Sequence, residues 1–85
     1  MRLRQLKPFA RQYVKLPPAV RKKVDRQVTY LSKDIRHPGL HAKKMINQED
    51  IWEARIDEHY RMTFKIQDDL IILRKVGTHE IYRKP

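Results

Sequence analysis

The strongest pattern in the chain is a stripe of apolar residues, Val20, Val24, Val28, Leu31 and Ile35, stepping by four, four, three and four. That spacing lines one face of an α-helix. Arg21, Lys22, Lys23, Arg26 and Lys33 fall on the other faces. A shorter helix precedes it, with Pro8 suited to its first turn and Phe9, Tyr13 and Leu16 on one face. Pro17-Pro18 ends this helix and opens the next, and His37-Pro38-Gly39 stops the second. Two helices joined at such a corner form an αα-hairpin. Met1–Leu6, marked by Leu3 and Leu6, is a candidate first strand.

Beyond the polar segment His41–Asp50 the period changes to two. Trp52, Ala54 and Ile56 alternate with Glu53, Arg55 and Asp57, and Tyr60, Met62, Phe64 and Ile66 alternate with Arg61, Thr63, Lys65 and Gln67. Glu58-His59 and Asp68-Asp69 are turn signals. Leu70-Ile71-Ile72-Leu73 is continuously apolar, as in a central strand, and Gly77 ends it; Glu80–Arg83 is a candidate last strand. Three strands joined by short turns make an antiparallel meander. Neither half can bury a core alone, so the helical stripe must pack on Trp52/Ala54/Ile56 and Met62/Phe64/Ile66. The expected fold is α+β: one domain over residues 1–85, with the N-terminal αα-hairpin on one face of a small antiparallel sheet.

The same alternation assigns the opposite sheet face. It carries Glu53 and Arg55 on one strand and Arg61, Thr63 and Lys65 on the next. Arg74 joins them if Ile71 and Leu73 point to the helices. An edge lysine is routine protection of a sheet, and Glu53 can pair across the strands. An arginine cluster suits phosphate instead, because the guanidinium fork matches its oxygens.

Charge sharpens this picture. The 85 residues carry 20 Lys and Arg against 10 Asp and Glu, a net charge of +10 with pI near 10.2. The excess lies before residue 49, where Asp25 and Asp34 are the only acids. Such a half suits a phosphate backbone or an acidic protein partner. There are no cysteines, which excludes disulfides, thiolate metal sites and a Cys nucleophile. No apolar run approaches the roughly 18 residues of a membrane span, and MRLRQLKPFARQYVKL lacks the apolar stretch of a signal peptide. A soluble cytoplasmic protein without a membrane partner is expected. His37, His41, His59 and His79 show no metal-ligand spacing. His59 reads as a turn residue. His79 follows Gly77-Thr78 at the sheet end, where it is either a surface residue or an acid or base near neutral pH.

Trp52-Glu53-x-Arg55, Tyr60-Arg61 and Val76-Gly77-Thr78-His79 with Tyr82 resemble, in order and spacing, the RelE/ParE superfamily of type II toxin–antitoxin toxins. KLPPAVRKKV resembles the family's Lys-Leu-Pro corner, and HPGLHAKKM its post-helix segment, so the likeness covers nearly the whole chain. The resemblance implies a small twisted antiparallel sheet under two N-terminal helices. It implies a ribosome-dependent mRNA endoribonuclease, with no metal or other cofactor, in which the RNA's 2′-hydroxyl attacks the adjacent phosphorus. It also implies an acidic antitoxin as partner in a hetero-oligomer, alongside mRNA and the ribosome. By the same resemblance Arg55, Arg61, His79 and Tyr82 are the catalytic candidates. Arg55 matches the arginine of the YoeB-type strand and Arg61 that of the family's Tyr-Arg. His79 stands at an active-site position, and Tyr82 matches an aromatic used for stacking or proton transfer. Lys43 and Lys44 resemble a basic pair at the groove rim and, with Lys65 and Arg74, are the RNA-binding candidates. The catalytic Glu of the YoeB type has no match here, nor do the extra histidines of the YafQ type. Glu53 and Asp57 are candidates for that place only as neighbours on one face by alternation, and the general base is unassigned. Two further readings share the fold: a ParE-like DNA gyrase inhibitor, and a degenerate module that binds antitoxin and RNA without cutting.

Overall fold

A computed structural model of the chain describes residues 1–46 and 50–82. The elements, in chain order, are β1 (Arg2–Gln5), α1 (Lys7–Val14), α2 (Pro18–Lys33), a 3-10 turn (Pro38–Leu40), β2 (Lys43–Lys44), β3 (Trp52–Arg55), β4 (Arg61–Gln67), β5 (Leu70–Gly77) and a second 3-10 turn (His79–Tyr82). Prolines open both helices, in positions where their missing N–H costs nothing. α2 stops at Lys33, earlier than His37-Pro38-Gly39 suggests. Asp34 is already extended there, and its carboxylate accepts the backbone N–H of Arg36 in place of a further helical turn. His37 then shapes the 3-10 turn: its Nδ1 accepts the Gly39 N–H at 3.2 Å, and its ring stacks on Tyr30 with centroids 4.0 Å apart.

The sheet has five strands in the order β1-β5-β4-β3-β2. β3, β4 and β5 form the expected antiparallel meander. The sheet as a whole is mixed rather than antiparallel, because β1 returns to the far edge and pairs in parallel with β5. The helical hairpin is the crossover connection that a parallel pair needs. β2 is a two-residue edge strand within the polar segment His41–Asp50, for which the sequence predicts no element. Residues 79–82 form a 3-10 turn in place of the expected last strand, whose final residue Arg83 lies outside the described residues.

The core lies between the helices and one sheet face. Phe9, Val20, Val24 and Leu31 meet Ala54, Met62, Phe64, Ile71, Leu73 and Val76, all buried. Trp52, Val28, Ile35 and Ile66 pack at its margin. Ile71, Leu73 and Val76 are spaced two and three apart, which plain alternation forbids. A bulge resolves the spacing. Thr63 pairs with Lys75 and Phe64 with Leu73, so Arg74 is the extra residue and Val76 returns to the core side.

Gln27 is the one buried residue of α2 that is polar. It lies three residues after Val24 and four before Leu31, squarely on the core stripe. Its amide donates to the carbonyls of Gly39 at 3.0 Å and Arg55 at 2.7 Å. One side chain thereby ties the loop after α2 to the end of β3.

Candidate active site on the open sheet face

The register places Arg55 directly opposite Arg61, and Glu53 opposite Thr63, which in turn faces Lys75. Their neighbours Ala54 and Met62 are fully buried against the helices. The charged set therefore occupies the helix-free face, as alternation requires. Lys65 is on the same face and exposed, in a row with Ile72 and Arg4. Lys43 pairs with Glu53, and Lys44 with Trp52. Adjacent residues point to opposite faces, so the two lysines separate. Lys43 reaches Glu53, with Nζ to Oε1 at 3.3 Å, while Lys44 sits over the Trp52 ring at 5.8 Å. Arg74, at the bulge, is half-buried with one guanidinium nitrogen out of contact with solvent.

The turn between β3 and β4 organises Arg61. The Asp57 carboxylate accepts the backbone N–H groups of His59 and Tyr60 at 2.8 and 2.9 Å and pairs with Lys23 at 3.2 Å. Burial acts to raise the Asp57 pKa. The two backbone bonds and Lys23 outweigh it and hold the carboxyl below its ordinary range. Arg61 Nη1 donates to the carbonyls of Asp57 and Tyr60, the latter at 2.9 Å. These bonds fix the guanidinium at the mouth of the turn.

Glu53 is the hub of the face. Its side chain is 18% exposed, and it accepts a 2.6 Å hydrogen bond from the Tyr82 hydroxyl at Oε2 while Lys43 stands by Oε1. Burial, together with the bond to the Glu53 carboxylate, pushes the Tyr82 hydroxyl far above its ordinary pKa of 10.0. Tyr82 is thus a neutral hydrogen-bond donor through the physiological range, unsuited to the role of base. The bond also brings the second 3-10 turn against the face, where the Ile81 side chain packs on Gly77. A Cβ at Gly77 would sit 3.1 Å from Ile81 Cγ2, tighter than ordinary contact. Thr63, beneath Glu53, is buried, and its hydroxyl has no hydrogen-bond partner among the described residues.

Two clefts open on either side of Glu53 and Arg61. One, of about 500 Å³, is lined by His41, Lys43 and Arg55. The other, of about 410 Å³, is lined by His59, His79 and Tyr82. The structure thus gathers Arg55, Arg61, His79, Tyr82 and Lys43 around one carboxylate. Lys44 is turned away, and Lys65 lies further along the face. His41, in a left-handed conformation with φ of 47°, enters the site although its sequence context carries no such signal. The clue was Gln27: a polar residue on a core stripe demands partners, and those partners bring the loop before His41 to Arg55. Among the described residues no three His, Cys, Asp or Glu side chains converge to hold a metal ion, and no helix is long and apolar enough to cross a membrane.

No protein-family profile matches the sequence, and no curated protein matches it. Solved structures do. The RelB–RelE antitoxin–toxin complex of Methanococcus jannaschii superposes with a TM-score of 0.77 at 22% identity, covering 95% of this chain and 98% of that one. The intact Escherichia coli RelBE complex gives 0.74 at 16% identity, covering 91% and 94%. The isolated E. coli RelE toxin gives 0.73 at 17% identity, covering 98% and 92%. Two helices on a five-stranded mixed sheet, a basic open face and near-complete overlap in both directions lead to one conclusion: this chain has the RelE-like toxin fold.

Proposed function

We propose that the chain is the toxin of a toxin–antitoxin pair and a ribosome-dependent endoribonuclease that cuts mRNA in the cytoplasm. The observation that carries this reading is the pair Arg55 and Arg61, set directly opposite each other on the open face beside Glu53. Two guanidinium groups at one place suit a phosphate on which charge develops. The reaction is a transesterification: the 2′-oxygen attacks the adjacent phosphorus, the bond to the 5′-oxygen breaks, and a cyclic phosphate and a 5′-hydroxyl result. Arg55 and Arg61 stabilise the phosphoryl oxygens. His79, exposed at the start of the second 3-10 turn, supplies a proton to the leaving oxygen. Lys43 and Lys65 hold the flanking backbone.

The likeness to RelE toxins solved with RelB antitoxins supports a protein partner. An acidic antitoxin, disordered when free, suits a surface of charge +10.

The test is incubation with ribosomes programmed with a defined mRNA, followed by primer extension. Cuts positioned by codon, unaffected by chelator and weakened by salt as phosphate contacts are lost, support the reading. An intact message overturns it. Gyrase-dependent DNA breaks on expression would select the ParE-like inhibitor instead.

A further inference from the structure

We propose that the cleft between α2 and the outer edge of β3 is a second RNA subsite, in which Arg26 holds the backbone phosphate of a nucleotide flanking the scissile one. The proposal rests on the nuclease reading above and adds the path of the strand. The cleft, of about 460 Å³, lies off the open face. His41 and Arg55 line both it and the cleft beside Lys43, so the two adjoin across those side chains. The sheet edge is open there for a structural reason. Among the described residues β2 covers β3 at Trp52 and Glu53 and goes no further. The Arg55 carbonyl lies beyond that cover and accepts Gln27 Nε2 at 2.7 Å, which draws α2 up to the edge.

α2 brings the cations. Lys23, Arg26, Gln27 and Tyr30 recur at i, i+3, i+4 and i+7, so they share one side of the helix, and all four line the cleft. Gln27 is spent on two carbonyls and Lys23 on Asp57. Arg26 is exposed, and among the described residues it pairs with no acid. Lys22, four residues before it, and Lys33, seven after, continue its stripe along the helix. Tyr30, four residues on, is held by stacking against His37 and gives the cleft a fixed aromatic wall.

A guanidinium beside a fixed ring suits a nucleotide of a single strand, the fork for phosphate and the ring for the base. The acids at the cleft do not cancel this. Asp57 is matched by Lys23, and Glu58 is solvated, its side chain 83% exposed. An acidic protein segment would satisfy Arg26 alone. Continuity with the Arg55–Arg61 pair favours the RNA: a strand held by that pair and leaving the face past His41 enters this cleft, where a neighbouring phosphate meets Arg26.

The experiment cuts messages on the ribosome in which an uncharged methylphosphonate replaces one phosphate at a time on either side of the cut. For the unaltered protein, one flanking position is expected to lower kcat/KM roughly tenfold. Arg26→Gln, a change on an exposed helix position, is expected to show the same loss on the unmodified message, no further loss at that methylphosphonate, and an unchanged rate at saturation. Non-additivity of this kind marks a direct contact, whereas a purely structural role for Arg26 gives losses that add. Additive losses, or wild-type cutting of every message by Arg26→Gln, overturn the proposal and leave the nuclease standing. Wild-type cutting joined to weaker antitoxin binding overturns it in favour of a protein occupant. If the unaltered protein cuts no message, the nuclease reading falls, and binding of a single-stranded RNA judges the cleft by itself. A salt slope lowered by about 0.7 in Arg26→Gln supports an RNA phosphate there, and an unchanged slope overturns it.

Discussion

Arg55 and Arg61 face each other across the β3–β4 pair, like charges in directly opposed positions, and both are half-buried. Such a pair opposes folding. Arg61 relieves part of the repulsion by bonding to the carbonyls of Asp57 and Tyr60, whereas no comparable clamp holds the Arg55 side chain among the described residues. The arrangement is understandable if an anion is meant to sit between them. Arg55→Gln should therefore raise stability by roughly 0.2–0.5 kcal/mol while lowering RNA cleavage about 10²–10³-fold. Denaturant midpoints and ribosome-bound cleavage rates for the same variant check both signs.

Gln27→Leu should destabilise by about 2–3 kcal/mol, because it leaves two carbonyls, of Gly39 and Arg55, without their donor in the interior. The apolar replacement keeps the volume, so the loss is electrostatic. Urea titration should show a lower midpoint with an unchanged slope. An increase in stability would mean that those carbonyls find other partners.

Tyr82→Phe removes the bond to the Glu53 carboxylate. Bonds to charged groups contribute about 1.5–3 kcal/mol when enclosed; the half-exposed setting here places the expected loss near 1 kcal/mol. The hydroxyl's pKa is raised by folding, so its stabilisation is fully present below the ordinary value of 10.0 and is lost as pH rises beyond it. Tyr13, raised through its bond to Asp25, adds in the same direction. Thermal melts from pH 9 upward should fall for the unaltered protein and fall less steeply for Tyr82→Phe.

Asp57 titrates with the opposite sign. Its carboxyl is held below the ordinary value of 3.8. Its contribution is therefore present above that value and lost as pH falls through and below it. Asp57→Asn keeps an oxygen for the His59 and Tyr60 N–H groups but loses the pairing with Lys23. It should cost about 0.5–1 kcal/mol at neutral pH and flatten the acid limb of stability. Asp57→Ala, which frees both N–H groups, should cost more, about 1–2 kcal/mol. Melts between pH 2 and 7 separate the two.

Periodicity revealed the two helices, the meander and the assignment of Arg55, Arg61 and Lys65 to the open face, because local alternation decides which side a residue faces. What escaped it depended on distant partners. The parallel pairing of β1 with β5 has no signature within residues 2–5. Two residues at 43 and 44 are too few to show a period, so neither β2 nor the opposite facing of its lysines is visible in the sequence. A bulge at Arg74 is visible only once Leu73 and Val76 are both known to be buried. The four residues at 79–82 fit a strand or a turn equally well, and the bond from Tyr82 to Glu53, 29 residues apart, belongs with the turn. Glu53 was legible as a charged residue on the right face. Its central place was not, since that rests on Lys43 and Tyr82 converging from other elements.

The parallel edge strand has a bearing on how the molecule assembles. Arg2 and Asp69, joined by a backbone hydrogen bond and a side-chain ion pair, are 67 residues apart in sequence. The meander can form by successive local hairpins, but β1 must wait until β5 exists before it can dock. Closing so long a loop brings a late entropic cost. The arginine pair, carried by one hairpin, can therefore be in place before the sheet is complete. The amino-terminal strand then acts as the final clasp, and its protection against hydrogen exchange should be the last to appear during refolding.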